Sequence, residues 1–148
     1  MWTSALVAAL HYLALAIGLP AVFLRGRALK RPLDANGLRR LFAADAAWGI
    51  AAVLWLATGL ARAFGGLEKG SAFYLNSRLF YLKMGLFVVV LLLEVWPMTT
   101  FIRWRRARAK GDPVDTAPAR AFARINHAQL AIVIIMVFVA SAMARGLG

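Results

Sequence analysis

Four apolar segments, each about twenty residues long, occupy most of this chain and constrain its fold more than any other feature. They run over residues 4–24, 41–61, 79–101 and 125–144. A helix needs about 20 mostly apolar residues to cross the hydrocarbon core of a bilayer. The links between the segments are short, which favours antiparallel neighbours. The sequence therefore predicts an all-α integral membrane protein, with residues 1–148 folded as a single antiparallel bundle of four transmembrane helices.

Basic residues are unevenly distributed between the two ends of the predicted helices. The formal charge is +12, and thirteen of the 18 Lys and Arg residues lie between the first and second spans or between the third and fourth. Because basic residues collect on the cytoplasmic side of a membrane, both termini are predicted to lie outside. The basic links would then contact anionic lipid headgroups. A nucleic-acid partner is a poorer explanation of the charge.

The chain contains no cysteine, and this narrows the cofactor chemistry. Covalently attached c-type haem, thiolate-bound iron–sulfur clusters and disulfides are excluded. The five methionines show no clustering in the sequence, which weakens the hypothesis of a copper site.

Small residues mark the faces on which the first two helices are expected to pack, because they allow backbones to approach closely. The first stripe consists of Ser4, Ala8, His11, Ala14 and Gly18. The second consists of Asp45, Gly49, Ala52 and Gly59. Since His11 and Asp45 lie on these stripes, both are predicted to point into the protein.

Five ionisable side chains fall inside the predicted spans, where they are costly and usually face the interior. A rise of about 1.5 Å per residue puts His11 and Lys83 roughly 10 and 7 Å from the outer ends of their helices. They are therefore expected to meet in an outer site. The other three are predicted to form an inner group at a similar depth near the basic ends: Asp45, Glu94 and His127.

Each of these residues also has a structural interpretation. Lys83 could extend its ammonium group to the outer headgroups, and His11 could be a neutral core histidine bonded to a backbone carbonyl. The inner group could hold helices together without any chemistry. Trp48 and Trp55 share a face and are expected to contribute to packing.

Several stretches carry a resemblance to a known family. They are ALHYLALAIGLPAVFLR around His11, FYLKMGLFVVVLLL around Lys83, FIRWRRA from Phe101 and ARINHAQLAIVII around Asn126. Together they resemble the HemJ-type protoporphyrinogen oxidases, bacterial proteins in a CopD-like group of four-span membrane proteins. The chain resembles more closely still a predicted-membrane-protein family of unknown function (a DUF family) distantly allied to that group.

The resemblance implies a multi-pass protein of the bacterial inner membrane that binds b-type haem. It makes His11 an axial metal ligand, and Lys83 a second ligand or the partner of a haem propionate or acidic substrate. The chain departs from the HemJ pattern where Asn126 is followed by His127, because that family has Asn-Glu and then Pro. The resemblance therefore implies haem binding for this chain, but it does not imply porphyrinogen oxidation.

The resemblance thus implies a haem protein that works in membrane redox chemistry. His11 and Lys83 would bind the cofactor, and the predicted catalytic residues are Lys83, Glu94, Asp45 and His127, the last three handling protons or substrate. The alternatives are a non-enzymatic transporter or accessory subunit with a buried polar site, and a CopD-like role in copper uptake. The oligomeric state stays open, with a homo-oligomer among the alternatives.

Overall fold

The computed structural model describes residues 2–67 and 69–147, so Met1, Glu68 and Gly148 lie outside the described residues. The described chain is all-helical. Its helices are α1 (Trp2–Leu29), α2 (Ala35–Phe64), α3 (Ser71–Leu75), α4 (Arg78–Lys110) and α5 (Ala119–Ala144). All of these except the short α3 are long and apolar enough to cross a membrane, as the sequence predicts.

The long helices extend beyond the predicted spans because their ends are capped in the polar links. Asp34 precedes α2 and accepts a hydrogen bond from the Gly37 N–H at 2.7 Å. α4 continues through the basic residues after Phe101 and ends at Gly111, whose φ of 79° is left-handed. At about 1.5 Å per residue α4 is about 50 Å long, against about 30 Å for a hydrocarbon core. The first predicted span ends at residue 24, whereas α1 continues to Leu29.

Close contact between α1 and α2 depends on a small residue of the predicted stripe. A Cβ added to Gly18 would lie 3.3 Å from the Cβ of Ala51, so the two backbones approach closely there. The predicted face of α2 holds at Asp45 and Gly59, which contact Arg25 and His11 of α1, but it is wrong at Gly49. Gly49 is exposed and would meet no atom within 4 Å, whereas Trp48 is buried. A large indole therefore fills the space that the small-residue pattern assigned to glycine.

Two groups of buried apolar side chains flank one arginine. One group includes Val22, Trp48, Val90 and Val133, and the other includes Leu41, Phe101, Trp104 and Phe122. The guanidinium carbon of Arg25 lies 5.7 Å from the centre of the Trp48 ring and 5.9 Å from that of Phe101. The core is thus built around a positive charge.

Apolar side chains also cover the outside of the long helices. Val53, Leu92 and Phe138 are 68%, 68% and 71% exposed. Exposed apolar side chains in such numbers are unusual for a monomer in water. In a bilayer they would contact lipid chains.

Candidate functional site

Arg25 lies at the centre of a buried polar cluster, with 1% of its surface exposed. Its guanidinium has five N–H donors, and each is paired with an oxygen. Nε donates to Asn126 Oδ1 at 2.7 Å, and Nη2 donates to Glu94 Oε2 and Gln129 Oε1 at 2.8 and 2.7 Å. Nη1 donates to Asp45 Oδ1 at 2.9 Å and to Glu94 Oε1 at 2.6 Å. One arginine of α1 therefore connects α2, α4 and α5.

Further side chains hold the acceptors of this guanidinium. Trp48 Nε1 and Gln129 Nε2 both donate to Glu94 Oε2, at 3.1 and 2.6 Å. Arg105 Nη2 donates to Asp45 Oδ2 at 2.7 Å. Two guanidinium ions thus face two carboxylates, so the cluster is balanced in charge as well as hydrogen-bonded. We call these side chains the Arg25 cluster: Arg25, Asp45, Trp48, Glu94, Arg105, Asn126 and Gln129.

The saturation of Arg25 favours a structural role for the cluster. Every N–H of the guanidinium is in use, so a ligand could bind it only by displacing a present partner. Removing one member of a buried ion pair is strongly destabilising because the other charge loses its compensation. The geometry therefore suits the fixing of four helices relative to one another. The proton- or substrate-handling role of Asp45 and Glu94 stays a prediction.

His127, which the sequence groups with Asp45 and Glu94, has its described hydrogen bonds outside the Arg25 cluster. Its Nδ1 bonds to the carbonyl oxygen of Ala123, and its Nε2 lies 3.1 Å from Lys30 Nζ. Because a carbonyl oxygen can only accept, Nδ1 carries the ring proton and Nε2 accepts from the Lys30 ammonium. The structure thus joins two members of the predicted inner group through Arg25 and places the third among basic residues.

The sequence pattern does not reveal the central role of Arg25. This residue follows an apolar span and precedes further basic residues, which is the pattern of an arginine at the membrane surface. A signal was present in the sequence. Arg25 lies seven residues after Gly18, two helical turns further along the predicted packing stripe. Two acidic residues inside the spans also require a cationic partner.

A second site lies nearer the N-terminal end of α1, about 21 Å along the helix from Arg25. It is a cavity of about 420 Å³, within the range of about 300–1,000 Å³ typical of small-molecule sites. Both His11 and Lys83 line it, so the structure brings the two residues of the predicted outer site to one cavity. We call it the His11 cavity. Apolar side chains form much of its wall, among them Leu15, Trp55, Phe87, Met136, Val137 and Ala140.

Thr58 fixes the orientation and the tautomer of His11. The Thr58 hydroxyl donates to the Leu54 carbonyl oxygen at 2.5 Å, and His11 Nδ1 lies 2.9 Å from the same hydroxyl oxygen. Since a hydroxyl has one hydrogen, Nδ1 must be the donor to Thr58, and the lone pair of the neutral ring is on Nε2. A hydrogen bond from one ring nitrogen is also what orients histidines that bind a metal through the other.

Basic side chains bring positive charge to the lining of the His11 cavity. They are Arg62, Lys69 and Lys83. Lys69 lies in the link between α2 and α3 and donates from Nζ to the Ala144 carbonyl oxygen at 2.9 Å. Its ammonium lies 4.4 Å from the centre of the Phe73 ring. An apolar cavity bearing cations suits an apolar ligand that carries acidic groups.

A b-type haem fits these residues in its chemistry. Imidazole is a common axial ligand of haem iron, and a thioether is a known second ligand. Met84 and Met136 line the same cavity as His11, so the methionines that look scattered in the sequence converge in part. Apolar walls suit the macrocycle, and cations suit its two propionates. No group of three or more His, Cys, Asp or Glu that could hold a bare metal ion occurs within residues 2–67 and 69–147.

The comparison with known proteins agrees with the four apolar helices and their exposed apolar surfaces. A family described as predicted membrane protein, DUF2214, matches residues 3–148. The chain belongs to the DUF2214 family. No curated protein and no solved structure matches it. Membership of DUF2214 agrees with the closer of the two resemblances seen in the sequence, and the link to HemJ-type proteins stays a prediction.

Proposed function

We propose that this DUF2214 protein is an antiparallel four-helix bundle of the bacterial inner membrane with both termini outside. Pairing of His11 with Thr58 and of Arg25 with Asp45 supports this topology, because the contacts follow opposite orders along α1 and α2. The excess of basic residues between the first two and the last two spans supports the orientation. The His11 cavity then lies in the outer half of the membrane, and the Arg25 cluster lies in the inner half.

We further propose that the His11 cavity binds b-type haem and that the protein works in membrane redox chemistry. The observation that carries this proposal is His11 itself, held by Thr58 in the tautomer with its lone pair on Nε2, at an apolar cavity with basic side chains. His11 would bind the iron, and Lys83 would be a second ligand or a propionate partner. A bound haem would supply one-electron transfer.

The chain's own residues would position the cofactor and keep water away. Thr58 holds the imidazole plane, and the apolar wall lowers the local dielectric constant, which strengthens any pairing of an acidic group with Lys83 or Arg62. The Arg25 cluster fixes the four helices that form the cavity. In this proposal the cluster positions the site without touching the ligand.

The absorption spectrum of the detergent-purified protein tests the proposal. A Soret band is expected, and His11→Ala should lose or shift it while His127→Ala leaves it unchanged. Lys83→Met, which keeps bulk and removes the amine, should alter the spectrum more than Lys110→Met at the exposed end of α4. A colourless protein from haem-replete cells would contradict haem binding and favour the transporter or accessory-subunit alternative.

A further inference from the structure

A cleft of about 1,020 Å³ opens where α1 ends and α5 begins. Basic and imidazole side chains line it from both sides: Lys30, Arg31, Arg120, Arg124 and His127. Among the described residues of the lining none is acidic. We call it the basic cleft. Because four formal positive charges converge there without a carboxylate in the lining, the cleft concentrates anions.

The dipole of α5 and a hydroxyl group add to these charges. α5 begins at Ala119 after Pro118, and no described side chain caps this end. The Ala119 N–H donates to the Thr116 carbonyl oxygen at 3.0 Å, and the N-terminal end of the 26-residue helix carries the positive end of its dipole beside the cleft. Thr116 is also part of the lining. Asp115, the neighbouring acidic residue, accepts the Ala117 N–H at 3.0 Å.

The two walls of the cleft are connected by the contact between Lys30 and His127. The ammonium donates to the imidazole, so Lys30 is directed across the opening towards α5. Arg120 and Arg124 are four residues apart on α5 and therefore lie on one face of the helix. The spacing lets two guanidinium groups and one ammonium approach the same anion. Guanidinium groups suit phosphate because their donors match its oxygens in pairs.

The cleft also has an apolar part, formed by Leu29, Leu33 and Ala123. A free anion would use only the charges, whereas a phospholipid would use both parts, with its phosphate at the arginines and its glycerol and upper chains against the apolar wall. We propose that the basic cleft binds the phosphate group of an anionic ligand, and that this ligand is an anionic phospholipid. The site is independent of the His11 cavity.

Titration of the purified protein in neutral detergent with short-chain phosphatidylglycerol, followed by the shift in thermal unfolding, tests the proposal. The double variant Arg120→Gln/Arg124→Gln should bind about 30-fold more weakly, since each basic residue near an anionic lipid contributes about fivefold. Arg106→Gln/Arg108→Gln removes the same charge from exposed positions of α4 outside the cleft. Its affinity should stay within about threefold of the wild-type value, because charges at a distance are screened by salt.

Parallel titrations with phosphatidylcholine and with inorganic phosphate identify the source of the anion. Weak binding of both probes, beside tight binding of phosphatidylglycerol, supports an anionic phospholipid headgroup. Strong binding of inorganic phosphate that is lost in the cleft variant supports the phosphate site but overturns the lipid assignment. Equal losses in the two double variants, or no binding of any probe, overturn the site itself. If the cleft variant does not fold, Lys30→Gln on the opposite wall should show a loss of about fivefold, and an unchanged affinity would overturn the proposal.

Discussion

Replacing Arg25 with methionine should destabilise the protein more than any other single loss of charge. The substitution keeps an unbranched side chain of similar reach and removes all five hydrogen bonds of the guanidinium. Asp45 keeps Arg105 as a partner. Glu94 keeps only the neutral donors Trp48 and Gln129 among the contacts of the cluster. The variant therefore leaves one buried carboxylate without its cation.

The structure sets the size of the effect. Breaking a buried ion pair by removing one partner costs about 3–5 kcal/mol. The Glu94 and Asp45 side chains remain 17% and 11% exposed, so water reaches them in part and the lower half of that range is expected. For a chain of this size, each kcal/mol moves the midpoint of thermal unfolding by about 2–4 °C. A decrease of at least about 6 °C is therefore expected for Arg25→Met.

A double-mutant cycle separates this loss from general damage. Glu94→Met in the Arg25→Met background removes the uncompensated carboxylate and leaves Asp45 paired with Arg105. The double variant should be more stable than the sum of the single losses predicts, with a coupling energy of about 1–3 kcal/mol. Thermal unfolding in detergent, followed by circular dichroism, measures all three variants. Arg27→Met, two residues away and exposed, is the matched control and should unfold at the wild-type temperature.

Two outcomes would refute the reasoning about the Arg25 cluster. Arg25→Met could unfold at the same temperature as Arg27→Met, which would mean that the buried guanidinium contributes no net stability. The losses in the cycle could also be additive, which would mean that Arg25 and Glu94 do not interact.

Gly26→Ala should lower the free energy of unfolding by about 1–3 kcal/mol in the same thermal assay, because the new Cβ would lie 2.7 Å from Asn126 Nδ2. The control Gly85→Ala adds a Cβ that meets no atom within 4 Å and should not destabilise the protein. Equal effects of the two variants would contradict the packing around Gly26. Glu94→Gln removes the charge that pairs with Arg25 and should lower the midpoint of thermal unfolding. If Glu94 also handles protons, turnover or transport per folded protein should fall, and unchanged activity would assign it a structural role alone. A reporter enzyme fused after Gly148 should be active only if it functions in the periplasm, and cytoplasmic activity would reverse the proposed orientation.

The helices could be predicted from the sequence because hydropathy over about twenty residues is a strong signal. Their ends could not, since the extensions of α1 and α4 run through basic segments that the hydropathy pattern excludes. Caps such as Asp34 and Gly111 determine these ends instead. Depth along the helices also placed His11 and Lys83 at one level, and both line one cavity.

The rotation of α2 and the partners of the buried charges required the structure. Small residues occur on more than one face of α2, so Gly49 suggested a packing surface that Trp48 provides. Asn126 and Gln129 look like ordinary polar residues near the end of a span, yet both bind Arg25 and are 2% and 0% exposed. Their roles depend on contacts across four helices, which no local pattern encodes.

Haem titration of the apoprotein tests the central claim, that the His11 cavity is a haem site, most directly. A Cβ on Gly59 would lie 3.5 Å from His11 Cε1, so a leucine there would extend into the cavity beside the imidazole. We expect one haem per wild-type chain, and an affinity at least about tenfold lower for both Gly59→Leu and His11→Ala, a loss of about 1.4 kcal/mol or more. Gly85→Leu, outside the cavity, should bind like the wild type. Absence of binding, or equal binding by all four proteins, would contradict the account.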